Sequence, residues 1–282
     1  MERIVVGVDG SDPATAALAW VVRLARLTGA RVEAVTAAAD MPLAGPFAEW
    51  NLGEDAIELG LVAQQHTMQA VEHDDLDVDT FIQQGQPAAV LLGAAKDADV
   101  LVIGTHGHGA IESTMLGSIG RQVATHAVCP TVLVPADPGK LERIVVGVDG
   151  SEEALHALRW AVGVARAAGA TIEVVTAYHY TPVGIGSPWV APVPVITQQD
   201  MRTAAAEVLD RAVARADAAD VVVERTVAEG SAARRLQDRA EDADLLVVGN
   251  RGHGGFAGLL LGSVSRKCLV HPTTPVVVVP SH

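Results

Sequence analysis

The residues best suited to chemistry fall into two matching clusters. Gly104-Thr105-His106-Gly107 is followed, after nine residues, by Gly117-Ser118, and Gly249-Asn250-Arg251-Gly252 is followed at the same interval by Gly262-Ser263. Each cluster trails a short apolar run and leads into a helical pattern. Glycine lets backbone approach a ligand closely and reach positive φ. Free N–H groups at the start of the following helix suit a phosphate, and Ser118 and Ser263 would add a hydroxyl at the cap position. A polyphosphate could thereby bind, through local backbone dipoles, a chain whose formal charge is −14. The plainer reading is a long loop ended by serine as an ordinary N-cap. His108, Gly109, His253 and Gly254 extend the two loops.

Asp9 and Asp149 form a second pair, each following an apolar run and preceding Gly-Ser. A carboxylate there can accept hydrogen bonds from ribose hydroxyls or help to hold a metal on phosphates. It can equally accept the N–H groups of its own turn. Gly7 and Gly147 lie inside the same apolar runs, where a glycine marks close approach by a ligand or by backbone. They would leave room for a nucleoside or for a packing helix.

Other motifs do not hold up. Gly139-Lys140 is followed by Leu141 without the upstream glycine of a Walker-type loop. Gly252-His-Gly254-Gly-Phe-Ala257 fits the dinucleotide pattern formally but does not follow the first strand of its copy. His106, His108 and His126 lack a helical i, i+4 partner pattern with a carboxylate, so solvated loop histidines are expected rather than metal ligands. A Ser118/His108/Asp9 triad lacks a nucleophile elbow. Trp20 and Trp160 fall on the apolar face of the first helix of each copy and are expected in the core. Arg121 and Arg266, one turn into the last helix, could reach phosphate or form surface ion pairs.

The elements that must position these residues repeat. Glu2–Ser11 and Glu142–Ser151 are the same ten residues, ERIVVGVDGS, 140 positions apart. The register holds through Thr36/Thr176, then resumes at an offset of 145 from Gly85/Gly230 to Pro135/Pro280. Five extra residues therefore belong to the second copy, between Tyr178 and Thr197. So long a period makes each copy a whole domain rather than a stacking unit, with boundaries expected at 1–139 and 140–282. Charge divides unevenly: seven basic and 18 acidic residues through Lys140, 13 and 16 after it.

Within the first copy, Ile4–Val8, Val32–Ala37, Val78–Ile82, Val100–Ile103 and Thr131–Val134 are predicted strands. Ser11 or Asp12 caps a helix that ends at Gly29, Met41–Gly53 is a predicted loop, and Asp55–Val71, Ala88–Ala95 and Ser118–Ala127 are predicted helices. Continuous apolar strands separated by helices indicate parallel sheets covered on both faces. The expected fold is α/β: two tandem Rossmann-like open five-stranded sheets of order 3-2-1-4-5, with a ligand crevice where strands one and four diverge. The last strands, Thr131–Val134 and Val276–Val279, carry no charge, and a bare apolar edge invites association. The simplest cover is each other, as a pseudo-twofold pair within one chain, with a homodimer as a further option.

Length and composition bound the rest. A chain of 282 residues, 49% hydrophobic and 19% charged, is long enough for two cores and too apolar for disorder. Its net charge argues against nucleic acid and anionic membrane surfaces as partners, and no apolar run approaches the ~20 residues of a membrane-spanning helix. The opening Met-Glu-Arg-Ile-Val-Val does not resemble a signal peptide. Cys129 and Cys268 show no paired spacing, so neither a disulfide framework nor zinc is expected. A cytoplasmic protein is expected.

Val-Asp-Gly-Ser after the first strand, with G-x2-G-x9-G-S after the fourth, resembles the universal stress protein family, twice over essentially the whole chain. The glycine motif resembles that of the family's ATP-binding branch. The resemblance implies ATP, with Mg, between strands one and four. Asp9 and Asp149 would meet the ribose, Gly104, Gly107, Gly249 and Gly252 would line the phosphates, and Gly117-Ser118 and Gly262-Ser263 would close on them. The second copy, with Gly262-Ser263-Val264-Ser265, matches the family better, because Gly120 stands in the first copy where Ser265 stands in the second. His106 replaces Arg251, which points to a weaker or pH-dependent first site. The implied role is regulatory, in stress response or growth control, through an unidentified protein partner. The alternatives are a slow ATPase or phosphotransferase, for which no general base stands out, and a ligand-free interaction module.

Overall fold

The computed structural model describes residues 1–38, 52–107, 116–137, 139–180, 197–253 and 260–281. The first copy runs β1 (Arg3–Gly7), α1 (Asp12–Thr28), β2 (Arg31–Ala38), α2 (Leu52–Gln69), β3 (Val78–Gln84), α3 (Pro87–Ala94), β4 (Val100–Gly104), α4 (Ser118–His126) and β5 (Thr131–Val134). The second repeats it as β6 (Arg143–Gly147), α5 (Glu152–Ala168), β7 (Thr171–Tyr178), α6 (Gln198–Arg215), β8 (Val223–Glu229), α7 (Ala232–Ala240), β9 (Leu245–Gly249), α8 (Ser263–Cys268) and β10 (Val276–Val279). The expected loop at Met41–Gly53 overlaps α2 at Leu52 and Gly53, and its earlier part lies outside the described residues. Helix ends carry little periodic signal and shift by a residue or two for that reason.

α1 shows how local sequence sets an element. Ser11 caps it by accepting the Ala14 N–H, Pro13 occupies the first turn, and Gly29 ends it in the left-handed conformation at φ 71°. Ser151 and Gly169 do the same for α5. Only glycine enters that left-handed region without steric cost.

Each copy has the expected strand order, but the two sheets do not stay separate. They form one ten-stranded sheet of order β3-β2-β1-β4-β5-β10-β9-β6-β7-β8. Every pairing within a copy is parallel, and the one junction between copies, β5 with β10, is antiparallel. Val132 lies opposite Val277 at that seam, and these are equivalent residues of the two copies, so the pseudo-twofold axis passes between them. Both are fully buried. The two apolar edges cover each other, which removes the hazard of an open edge.

Two apolar layers sandwich the sheet. Ile4, Val6, Ile144 and Val146 point to the layer under α1 and α5; Val5 and Val145 point to the layer under α3, α4, α7 and α8. Strands buried on both faces account for the continuous apolar runs. Trp20 lies in the first of these layers and Trp160 packs against it, as core residues. Cys129 and Cys268 are free and buried, and burial pushes their thiols up to about 11 and about 12. Such thiols stay protonated near neutrality and are poor nucleophiles. No described helix is long and apolar enough to cross a membrane.

Candidate functional site

The parallel order places the carboxyl ends of β1 and β4 side by side, and those of β6 and β9 likewise, with the glycine loops above them. A cavity opens at each place, of about 350 Å³ in the first copy and 380 Å³ in the second. Both fall within the range of small-molecule sites. Gly7, Asp9, Gly104, Thr105, His106, Gly107, Gly117 and Ser118 line the first cavity. Gly147, Asp149, Gly249, Arg251, Gly252, His253, Gly262, Ser263, Val264 and Ser265 line the second. His108, Gly109 and Gly254 lie outside the described residues.

The loop ends are pinned to the sheet. The Thr105 N–H donates to the Val134 carbonyl at 3.1 Å, and the Gly117 N–H donates back to the Thr105 carbonyl at 3.0 Å. In the second copy Asn250 donates to Val279 at 2.8 Å and Gly262 to Asn250 at 2.7 Å. Each loop is therefore closed at its base by one hydrogen bond and delivers the chain to the next helix at a fixed point. That point differs from the expectation by one residue. Gly117 and Gly262 are themselves the N-caps, with Ser118 and Ser263 at the first helical position. Glycine has no side chain to cap with, so among the described residues the first-turn N–H groups of α4 and α8 have no side-chain acceptor.

The glycines of the motif divide by what crowds them. A Cβ on Gly104 would lie 2.6 Å from the Pro13 carbonyl carbon, and one on Gly249 would lie 2.9 Å from that of Glu153. These two positions let the first turn of α1 and α5 rest on the strand end. Gly107 and Gly252 face the carboxylates of Asp9 and Asp149, which occupy the space a Cβ would need. Gly7 and Gly147 leave room for packing helices, the alternative that the sequence allowed: their Cβ atoms would meet Leu91 Cδ2 at 3.0 Å and Leu236 Cδ1 at 2.7 Å. Gly117 and Gly262 are the least crowded pair of the motif: a Cβ there would lie 3.4 Å from the Thr105 carbonyl oxygen and 3.3 Å from the Arg251 Cα.

The aspartates stitch the crevice together. Asp149 Oδ1 accepts the Ser151 N–H at 3.0 Å and its hydroxyl at 2.5 Å, while Oδ2 accepts the His253 N–H at 2.7 Å. Asp9 Oδ1 accepts the same two groups of Ser11, at 3.1 and 2.5 Å. Both carboxylates thus serve their turns, and Asp149 also holds the start of the glycine loop. Carboxylate oxygens have about four acceptor positions, so this leaves capacity for a further donor on Asp149.

The two sites differ in their polar atoms. His106 Nδ1 lies 2.9 Å from the Thr105 hydroxyl, while its buried Nε2 has no partner among the described residues. In the second copy the buried Arg251 Nε and Asn250 Oδ1 have no partners among the described residues. Ser265 is buried, and its hydroxyl donates to the Gly249 carbonyl at 2.6 Å. It ties α8 to the end of β9. At Gly120, its counterpart, a Cβ would lie 2.7 Å from Leu116 Cδ1, so a leucine fills the place of the hydroxyl.

Some lining residues carry no sequence signal of function. Val35, Ala37 and Leu91 form an apolar wall in the first cavity, as Val175, Ala177 and Leu236 do in the second. They look like ordinary core residues, and only the strand order shows that they reach a crevice. Arg121 and Arg266 are exposed, and neither is among the described residues that line these two cavities. Among the described residues no group of three or more His, Cys, Asp or Glu could hold a metal ion.

Comparisons with known proteins agree with this architecture. The model of the Universal stress protein family matches residues 1–135 and 140–280. A universal stress protein of Mycolicibacterium smegmatis is 32% identical, over 98% of this chain and 96% of its own. One of Mycobacterium tuberculosis is 29% identical, over 98% and 95%. The crystal structure of a universal stress protein from Archaeoglobus fulgidus superposes with a TM-score of 0.76, covering 99% of this chain and 98% of that one at 16% identity.

Proposed function

The chain belongs to the universal stress protein family, and from that premise we propose that it binds ATP in its two crevices and acts as a regulatory protein of stress response or growth control. The observation that carries this reading is the uncapped helix start behind Gly117 and Gly262, open to a phosphate and set beside an apolar slot. Backbone N–H groups at a helix start and the helix dipole favour an anion.

The residues present fit the group. Leu91 with Val35, and Leu236 with Val175, offer an apolar slot for the base. Asp9 and Asp149 hold the ribose side, and the amides after Gly117 and Gly262 hold the phosphates. Arg251, with its unpartnered Nε, adds a positive charge in the second copy. Mg would arrive on the phosphates, which supply much of its coordination in such sites. Bound ATP supplies triphosphate charge to the site. Because Asp149 Oδ2 already holds the His253 N–H, a ribose hydroxyl at that carboxylate bears directly on the loop. Occupancy thereby shifts the balance between loop arrangements, which is the regulatory signal.

The test uses Gly117 and Gly262, the motif glycines at which a side chain is least crowded by protein. The double variant Gly117→Val, Gly262→Val should keep its urea midpoint and lose MgATP affinity at least about ten-fold in calorimetric titration, equivalent to about 1.4 kcal/mol. Undiminished affinity would overturn the phosphate assignment. Nucleotide released on denaturing the purified protein separates this reading from a ligand-free interaction module, and turnover with Mg²⁺ separates it from an ATPase.

A further inference from the structure

On the outer surface of the first copy, α1 and the end of α2 diverge and leave an open groove of about 570 Å³. Ala16, Ala19 and Val22 of α1 and Val71 beyond α2 form its apolar lining, and Asp12 and Glu72 bring carboxylates to it. Neither carboxylate takes part in an ion pair among the described residues.

On the matching surface of the second copy two arginines lie across the corresponding place. Arg159 stands where the first copy has Ala19, and Arg215 where it has Ala70. Arg215 forks onto Glu152, with Nη1 to Oε1 at 2.8 Å and Nη2 to Oε2 at 3.0 Å. Arg159 Nη2 donates to the carbonyl of Arg215 at 3.2 Å. Glu152 corresponds to Asp12, and the Arg215 carbonyl to that of Ala70. The first copy therefore keeps both acceptors and lacks both guanidinium donors.

Its own arginines cannot supply them. Arg23 lines the groove but is held by both carboxylate oxygens of Asp137 at 2.7 Å. Arg26 is held by Asp75 at 2.9 and 2.7 Å and by the Glu72 carbonyl at 3.1 Å. Residues 54–79 contain eight carboxylates and no Lys or Arg. Arg23 and Arg26 both line the groove, but each guanidinium is committed to a carboxylate, so Asp12 and Glu72 are left without an ion-pair partner among the described residues.

We propose that this groove docks an arginine-bearing helical segment of a partner protein, whose guanidinium groups take the two places filled by Arg159 and Arg215 in the second copy. The small residues Ala16 and Ala19 let a third helix approach α1 closely, as ridges settle into grooves. The acceptors, a carboxylate and a main-chain carbonyl, suit the planar fork of arginine better than the point charge of lysine. This inference does not depend on nucleotide binding.

The test is binding to the full chain of a labelled alanine-based helical peptide bearing arginine at positions i and i+4, read by fluorescence anisotropy. The arginine peptide should bind more tightly than its lysine counterpart, and a glutamate counterpart should not bind. Ala19→Arg with Ala70→Arg copies the second half's filling and should abolish binding while the urea midpoint is unchanged. Asp12→Asn should weaken it about ten-fold, as loss of a charge-assisted hydrogen bond. Absence of arginine-peptide binding, or equal binding by the double variant or by Asp12→Asn, overturns the proposal. So does a wild-type dimer in sedimentation that the double variant converts to monomer, since the occupant would then be a second copy of this chain.

Discussion

α2 and α6 occupy the same place in the two copies and are built inside out with respect to each other. The face of α6 turned to the sheet carries Leu209 and Ala212. The matching positions of α2 carry Gln64 and Thr67, 6% and 0% exposed, while Leu59 and Val62 are 70% and 60% exposed. The Gln64 amide donates to the carbonyls of Phe81 and Ala34 and to the Thr36 hydroxyl at 3.0, 3.4 and 3.2 Å. The Thr67 hydroxyl accepts the Gly10 N–H at 3.1 Å. A helix underside can be polar where its donors and acceptors find partners. The consequence is specific: α2 is hydrogen-bonded to the turn that carries Asp9, whereas Ala212 offers α6 no such bond. The two crevices share a shape and differ in what they are wired to.

The seam is where the copies are alike, and substitutions there should have the largest effect. Val132 and Val277 are equivalent, directly opposed and fully buried. Val132→Asp and Val277→Asp each place an unpaired carboxylate in the joined core, which costs upwards of about 3 kcal/mol. Equal losses in urea denaturation are expected for the two variants. A loss confined to one of them would mean that the seam is not shared evenly.

The motif position that differs between the copies comes next. Gly120→Ser sets a Cβ against Leu116 and Leu133 and should cost about 1–3 kcal/mol as overpacking. Ser265→Gly removes the bond to the Gly249 carbonyl and should cost about 1 kcal/mol. If Gly120→Ser proved neutral, the leucine that separates the two sites in this structure would be easily displaced, and the copies would be closer in chemistry than they look.

A smaller effect tests the wiring of α2. Thr67→Val keeps the shape of the side chain and removes the acceptor of the Gly10 N–H, a loss of about 1 kcal/mol for a part-buried group. Hydrogen exchange at Gly10 should rise in this variant, while exchange at Gly150 should be unchanged.

The layout of the crevices was legible because it rests on repeated, patterned signals. Apolar runs between helical stretches dictate parallel strands, and the uncharged Thr131–Val134 and Val276–Val279 mark edges that must be covered. The meaning of individual glycines was not legible. A missing side chain does not say which neighbour needs the space, so Gly104 and Gly117 look alike in the motif. One makes room for the backbone of Pro13 at 2.6 Å and the other has its nearest neighbour, the Thr105 carbonyl oxygen, at 3.4 Å. Ser265 posed the same problem: its hydroxyl could serve a ligand or a carbonyl, and only tertiary placement assigns it to Gly249. The polar underside of α2 was hidden for the opposite reason. Its exposed leucines and valine carry the apolar signal, so periodicity points to the wrong face.

The smallest effect concerns the ion pair that joins β1 to β2. Arg3 Nε and Nη2 meet the two carboxylate oxygens of Glu33 at 2.7 and 2.5 Å, and the hydrogen bonds from Arg3 hold the Glu33 carboxyl below the usual range. A carboxyl whose folded value is depressed adds stability above its unfolded value, and loses it as pH falls through the folded one. The pair should therefore stabilise the protein at pH 7, by no more than about 1 kcal/mol for a pair this near the surface, and should do nothing once Glu33 is protonated. Glu33→Gln should lower the urea midpoint slightly at neutral pH and converge with the parent below the carboxylate range. In the second copy Glu173 receives Arg143 at 2.6 Å, Arg239 at 3.2 Å and the Thr226 hydroxyl at 2.7 Å, and is 1% exposed. Its partners are shared, so removing Arg143 leaves two donors in place, whereas removing Arg3 strips Glu33 of both its side-chain hydrogen bonds. Arg3→Met should accordingly remove the acid-dependent stability that Glu33 contributes and leave that of Asp75 and Asp99, whose carboxyls are also held below the usual range; an unchanged pH profile in that variant would show that the Arg3–Glu33 pair contributes none of it.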